Sequence, residues 1–577
     1  MAKRALTDTE LEELLYVDEE EFDLDQFSSE SDEWEDIDQN LSENDSDEES
    51  EERVYNLNLW RPWTANEPRF KIFPFLEDVG YHPPRNNQPV FELDFFQLFF
   101  TDELIQAIVD ETNRYAAEKI LINTPLTKRS VWKSWKPVTL EEFMAFLGVL
   151  LNMALNPKTE LSDYFSNNWI DHQPFFKDIF SRDRFMQIFW NLHVSPPEEE
   201  QMGVKSRSTK VKNVLWYLET QFKKFYTPDK NISVDESTIG FKGKVSFKVY
   251  NKAKPTKWGI KVYVLADSKN GYIFTMEPYL GTQTTQGLIR PDLPATARIV
   301  VHLVQKLLNS GTGSGGYHIF IDRYYSSPLL ARELHKINIH VTGTVMANRQ
   351  GIATELTTAY TRKFKKGEIS SRHDNSISVL AWKDKRVVLM LSSVYDNSVQ
   401  NITRRTKTAE GRWIEEVIEK PTVIYEYNKF MGGVDVADHY AASYQFLRKT
   451  SKWWRKVFFW LLDVSINNAF ILQKIATNNQ QLRSRNFRKK LVIQLVGNYR
   501  NTSRRRSAYG AEDISRLNNR FHAIYARKNN SDCKVCNDRS KKGGRKTTTY
   551  CCKTCKDHPA LHPGECFEKY HTEENYR

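Results

Sequence analysis

No run of about 18 or more apolar residues occurs in the 577-residue chain, so no membrane span is expected. The N-terminus, MAKRALTDTELEELL, lacks the apolar stretch of a secretory signal, and the chain is expected to stay in the reducing interior of the cell. No cysteine precedes Cys533; all six fall between Cys533 and Cys566. In that compartment disulfides are not expected, and the clustering points to metal. Bases are nearly missing from residues 1–52, which hold 23 acids and two bases. The rest of the chain therefore carries 51 acids and 80 bases. Such a surplus suits an anionic polymer as partner, although a generally soluble basic surface has the same composition.

The acidic tail contains SSESDEWEDID and SENDSDEESEE, too poor in apolar residues to offset ordering entropy, and is expected to be disordered. Ser46, followed by Asp and Glu, has the surroundings of an acidophilic-kinase site. Deletion of the tail tests whether it restrains the basic body: unchanged affinity for an anionic polymer at matched salt would reject that idea.

At 577 residues the chain is too long for one ordinary core, and 40% hydrophobic content can fill several. Residues 53–89 read as an extended, Pro-bearing segment. Residues 90–228 read as helical: Leu104, Ile105, Ile108 and Val109 lie on one helical face, and Thr101 before Asp102 and Glu103 marks an N-terminus. TLEEFMAFLGVLLNMAL and RDRFMQIFWNLHV continue the pattern. Residues 229–345 change period. NISVDESTIGF, WGIKVYVLAD and GYIFTMEPYL read as strands, followed by alternating helices and strands, which predicts a mixed α/β sheet. Residues 346–421 look like a basic insertion bearing a strand pair. After 422–442 the helical pattern returns over 443–520, where SKWWRKVFFWLLDVSINNAFIL is amphipathic and expected to cover the first helical part. Residues 530–577 hold the cysteines.

Three aspartates stand out by placement. Asp235 lies in ISVDEST, Asp322 ends HIFID, and Asp435 follows Gly432 and Gly433 in YNKFMGGVDVADHY. Carboxylates converging at the mouth of a sheet can hold two divalent cations, activate a water or hydroxyl, and stabilise the leaving oxygen of a phosphodiester. The plainer reading is that each Asp caps a turn or helix. The paired glycines would permit a sharp turn or a close backbone approach. Asp438, three residues after Asp435, shares its face if the segment is helical. Lys242 and Lys244 are phosphate-contact candidates.

The C-terminus supplies Cys533 and Cys536, Cys552 and Cys555, then His562, Cys566 and His571. Seven ligands approach the eight that two tetrahedral Zn²⁺ ions need, and His558 or Cys551 would supply the eighth. A segment so short on apolar residues would need metal to fold. The intervening DRSKKGGRK would face phosphate or form part of a nuclear localisation signal.

SVDESTIGFKGK, HIFIDRYYSS and YNKFMGGVDVADHY resemble, in order and separation, the blocks of piggyBac-type transposases. So do FELDFFQLFFTDELIQAIVDETNRYA and RKTSKWWRKVFFWLLDVSINNAFIL, and the resemblance extends over residues 90–577. It implies a nuclear α/β protein with an RNase H-like (retroviral-integrase-like) catalytic core. That core would sit inside a mostly helical dimerisation and DNA-binding domain, with a small C-terminal zinc domain. Asp235, Asp322 and Asp435 would form a DDD triad holding two Mg²⁺ ions, with Asp438 as a nearby fourth acid. The implied activity is metal-dependent cleavage of double-stranded DNA at element ends and insertion at TTAA, through hairpin intermediates, by a homodimer. Residues 346–421 would be the insertion domain. Arg448, Lys449 and Trp453 in RKTSKWW would lie near the DNA, with Trp453 stacking on an unpaired base or sitting in the core and Trp454 in the core. The cysteine segment would be a cross-braced, RING- or PHD-like finger for element-end DNA. Where the family commonly has Asn after the second Asp, this chain has Arg323. That departure favours the alternative of a domesticated DNA-binding protein without cleavage activity; Arg beside the site could instead touch phosphate. A RING-type ubiquitin ligase would leave the aspartate blocks unexplained.

Overall fold

The computed structural model describes residues 60–573 apart from 64–69, 87, 129, 196–207, 253–255, 312–314, 408–411, 447–449, 451, 501–520, 540, 542 and 556. The acidic tail with Ser46, and Arg448 and Lys449, lie outside the described residues. The chain divides into two compact units, Met1–Tyr499 and Arg500–Arg577. Among the described residues, no helix is long and apolar enough to cross a membrane.

In the first unit the helices begin where side chains can satisfy their first N–H groups. Thr101 accepts from Leu104 N to open α1 (Asp102–Ile122), and Thr139 accepts from Glu142 N to open α2 (Leu140–Leu155). The helix α3 (Thr209–Phe225) leads into the sheet. Near the end of the unit, α8 (Trp453–Ala476) is buried along almost its whole length, and α9 (Ser484–Val496) crosses α2 closely. A Cβ at Gly148 would lie 2.8 Å from Val496 Cγ2 and 3.3 Å from the Val492 carbonyl, so only Gly permits that crossing. Helices from both sides of the sheet sequence thus share one core with Phe146, Phe222, Val457 and Leu491. Within it, the buried Arg488 guanidinium donates to Asp463 Oδ1 at 3.2 Å and Asn467 Oδ1 at 2.9 Å.

Among the described residues, ten strands form one sheet. Five carry the site: β1 (Asn231–Gly240), β2 (Trp258–Asp267), β3 (Ile273–Pro278), β4 (His318–Ile321) and β5 (His340–Thr344). They stand in the order β3-β2-β1-β4-β5. β2 runs antiparallel to β1 and β3, whereas β1, β4 and β5 are mutually parallel. The four residues of β4 are all buried, as a central parallel strand requires. One face, with Val234, Leu265 and Ile321, is covered by α4 (Ala295–Leu308) and α5 (Pro328–Lys336). The other, with Ile260, Val262 and Val264, meets the helical core. The result is a three-layer arrangement.

The segment expected as an insertion divides. Its strands β6 (Ile369–His373), β7 (Ser378–Lys383) and β8 (Val387–Ser392) extend the same sheet, with β8 antiparallel to β5 through Met390 and Thr344. The strands β9 (Val399–Lys407) and β10 (Trp413–Pro421) instead form a separate hairpin. From it the chain enters α6 (Thr422–Phe430) and α7 (Gly433–Ser443), which lie across the sheet.

The second unit pairs β11 (Ile524–Asp532) with β12 (Thr547–Cys552) and ends in α10 (Glu565–Thr572). Its buried apolar cluster is Cys552, Cys555, Leu561 and Tyr570, a core too small to hold the unit by burial alone.

Candidate active site and metal centres

Strand register aligns the acids. Val234 of β1 is paired with Ile321 of β4, so the next residues, Asp235 and Asp322, emerge level on adjacent strands, which lie about 4.8 Å apart. Asp235 stands opposite Val264, on the sheet face that meets the helical core. Asp235 Oδ1 accepts from Glu236 N at 2.8 Å, and Asp322 Oδ1 accepts from Tyr324 N at 2.7 Å. Each acid is thus also a turn or strand-end partner, and that bond orients its carboxylate. Burial raises the Asp322 pKa above the usual carboxylate value, and the charge of Glu236 adds to the effect. Glu236 itself accepts from the Tyr325 hydroxyl at 2.7 Å, away from the Asp235 face.

The third acid arrives on a helix. α7 crosses β1 with Gly433 over Ser233 and with Asp438 Oδ1 accepting from Ser237 Oγ at 2.6 Å. These two anchors bracket Asp435, which sits exposed in the first turn of α7 beside the strand that bears Asp235. Asp435 and Asp438 share a helix face, three residues apart. The three carboxylates do not close to within 4.8 Å of one another; among the described residues, only the two clusters in the second unit are that tight.

Of the two roles expected for the glycine pair, the close backbone approach holds at Gly433, while Gly432 makes no strained turn. Gly432 has φ of −76° and open space around its missing Cβ. At Gly433 a Cβ would touch Ser233 Oγ and lie 2.8 Å from the Asp267 carbonyl. Gly433 is needed for helix-to-sheet contact. Gly433→Ala should therefore destabilise the fold by about 1–3 kcal/mol and lift Asp435 away from Asp235. Gly432→Ala should change stability by less than about 0.5 kcal/mol. Urea unfolding of the two variants checks the contrast.

Lys242 and Lys244 are exposed in the loop after β1. That loop is shaped by Lys248, whose Nζ donates to the Gly243 carbonyl at 3.0 Å and lies 4.8 Å from the Trp258 ring centre. Trp453 is only 6% exposed and meets Phe247 edge-on at 5.1 Å, so it occupies the core instead of an open stacking surface; Trp454 is buried beside it. Arg323 is exposed immediately after Asp322, and Arg349 fastens this turn by donating to the carbonyls of Arg323 and Tyr324 at 2.9 and 2.7 Å.

In the second unit, two groups of four have ligand atoms within 4.8 Å: Cys533, Cys536, His562 and Cys566, and His522, Cys552, Cys555 and His571. His522, and neither His558 nor Cys551, completes the second group. His558 Nδ1 faces the Cys552 carbonyl at 3.2 Å, and Cys551 is buried in β12 without joining either group. His522 stands 30 residues before Cys552, outside any short spacing motif, and only a search for unpaired histidines upstream would have raised it.

The donor sets fit Zn²⁺. Bonds of about 2.0–2.3 Å in a tetrahedron put ligand atoms roughly 3.3–3.8 Å apart. Cys536 Sγ lies 3.3 Å from His562 Nδ1, and Cys555 Sγ lies 3.5 Å from both His522 Nδ1 and His571 Nε2. The opposite nitrogens of two histidines are committed: His562 Nε2 to the Thr547 carbonyl at 3.1 Å, and His571 Nδ1 to the Phe567 carbonyl at 2.7 Å. Those bonds leave the inward nitrogens unprotonated for metal. Burial opposes the Cys533 thiolate, but N–H groups of Cys536, Val535 and His562 bring its pKa down to about 7. The ligand sets interleave along the chain, the Cys552/Cys555 pair falling between the two pairs of the other set.

Comparison with known proteins agrees with these blocks. The transposase IS4 family profile matches residues 92–470. The human PiggyBac transposable element-derived protein 2 is 27% identical over 479 residues, covering 82% of this chain and 75% of that protein. The human PiggyBac transposable element-derived protein 3 is 24% identical over 484 residues, covering 83% and 76% respectively. Among solved structures, the piggyBac transposase in a synaptic complex with hairpin DNA superposes with a TM-score of 0.60 at 24% identity, covering 76% of this chain and 86% of that one. The chain belongs to the transposase IS4 family, in its piggyBac-type branch.

Proposed function

We propose that this protein is a metal-dependent DNA transposase that excises an element and inserts it at TTAA. The observation that carries the reading is the alignment of Asp235 and Asp322 on parallel strands, with Asp435 laid beside them by α7. The order β3-β2-β1-β4-β5, with β2 antiparallel, supports an RNase H-like core. In this reading the three aspartates hold two Mg²⁺ ions, which would supply activation of the attacking hydroxyl and stabilisation of the leaving oxygen. Asp435, on a helix, sets the far wall of the site, and Asp438 keeps that helix in register through Ser237. Lys242, Lys244, Arg448 and Lys449 neutralise DNA phosphates. The zinc unit binds element ends, and the protein acts in the nucleus as a homodimer.

The second reading is a domesticated DNA-binding protein. Arg323 and the similarity to human transposable element-derived proteins favour it. An excision reporter in cells separates the two: candidate piggyBac-like ends flanked by TTAA, with wild type beside Asp435→Asn. Precise TTAA repair with wild type alone supports the transposase. End binding without excision by either supports the second reading.

The raised Asp322 pKa makes a pH prediction. The carboxylate must be ionised to hold a cation, so cleavage should fall on acidification at a higher pH than an exposed Asp would give. Divalent cation competes with the proton. Raising Mg²⁺ should therefore move the acid limb to lower pH, and a limb insensitive to Mg²⁺ would place the titration elsewhere. The same shift means that Asp322 disfavours the fold as pH rises through its folded pKa when metal is absent.

A further inference from the structure

We infer that Tyr427 is a further active-site residue, whose hydroxyl hydrogen-bonds a non-bridging oxygen of the DNA phosphate lying over Asp322. The inference rests on the transposase reading. It begins from the register of the third parallel strand. Ile321 of β4 is paired with Gly343 of β5, so Thr344 emerges level with Asp322, as Asp235 does on the other side. Asp235, Asp322 and Thr344 therefore make one row across three adjacent strands, with steps of about 4.8 Å.

α6 runs along that row before the chain reaches Asp435. Val423 and Ile424 pack with Met390 of β8, and Phe430 meets the Phe320 ring of β4 at 5.3 Å. Residues 423, 427 and 430 share one helical face. Tyr427 is thus held between those two contacts, above β5. Its side chain neighbours Thr344, and the charges of Asp322, Asp235 and Asp435 act on it.

A phenol has one proton to donate and lone pairs to accept, so it can serve both Thr344 and another partner. A neutral donor next to three carboxylates costs no extra repulsion, and it does not compete with them for cations. The oxygen such a donor suits is an anionic one brought in by substrate. A phosphodiester lying over Asp322 places its non-bridging oxygens there. The bond is worth most when charge on the phosphoryl oxygens changes in the transition state. A purely structural role for Tyr427 would need only its ring.

The test uses the full chain and a hairpin-ended DNA duplex, with wild type, Asp322→Asn, Tyr427→Phe and Thr344→Val. Tyr427→Phe keeps the ring and removes the hydroxyl. Single-turnover hairpin opening in Mg²⁺ at saturating DNA should fall about 10- to 100-fold, the value of one hydrogen bond to a charged oxygen. DNA affinity in Ca²⁺ should change by no more than about two-fold, a split that ring packing alone would not produce. Thr344→Val should cost less, and the double variant should be no slower than Tyr427→Phe alone. A readout independent of turnover is Tb³⁺ emission excited through tyrosine: it should drop in Tyr427→Phe and vanish in Asp322→Asn. Opening by Tyr427→Phe at the wild-type rate, with Asp322→Asn inactive, overturns the role of Tyr427 alone. A wild type that binds the DNA without opening it overturns both this role and the transposase reading.

Discussion

Asp235→Asn and Asp322→Asn should each reduce DNA strand cleavage by about a thousand-fold or more, because losing a metal ligand forfeits several kcal/mol of transition-state charge stabilisation. The side chains keep their size and still accept the backbone bonds seen from Glu236 N and Tyr324 N. The fold should therefore survive, and end binding should change little or tighten as a negative charge is removed. The measurement is cleavage of labelled DNA alongside a binding titration. Parallel loss of both would mean that the acids hold the fold and not the chemistry. Asp438→Asn should be much milder: its carboxylate is engaged by Ser237 Oγ, and Asn retains an acceptor there.

The second large effect concerns zinc. His522→Ala should lower bound zinc from two ions to one per chain, while His558→Ala should leave two. Metal analysis of purified protein reads this directly. Removing both ions should unfold the second unit, since apparent binding energies of about 10–16 kcal/mol for structural zinc dwarf what its few buried side chains supply. Hydrogen exchange over 521–573 should lose protection on chelation, while the sheet of the first unit keeps its own. Retained protection over 521–573 would refute metal-dependent folding.

The sequence carried much of the local structure because local structure has local causes. Thr101 and Thr139 cap the helices whose apolar spacing announces them. The cysteine pairs announce metal for the same reason. What escaped depends on contacts distant along the chain. β8 joins the core sheet by pairing with β5, and nothing in 387–392 specifies that partner. His522 reaches ligands 30 or more residues away. Trp453 reads equally as a stacking surface or a core residue until Phe247 is found against it. At the site, the three acids could be picked out by placement, but their neighbouring positions could not: these follow from the pairing of Val234 with Ile321 and from the Gly433 contact with Ser233. Gly433 itself was conspicuous for a reason only the packing supplies.

Asp235, Asp322 and Asp435 are proposed to hold a pair of divalent cations against DNA. The most direct measurement is anomalous scattering from Mn²⁺ in crystals of the full chain bound to hairpin-ended DNA. Two peaks about 3.5–4 Å apart, ligated by these three carboxylates and the DNA phosphate, are expected. DNA-bound crystals whose aspartates carry no Mn²⁺ at saturating concentration would contradict it.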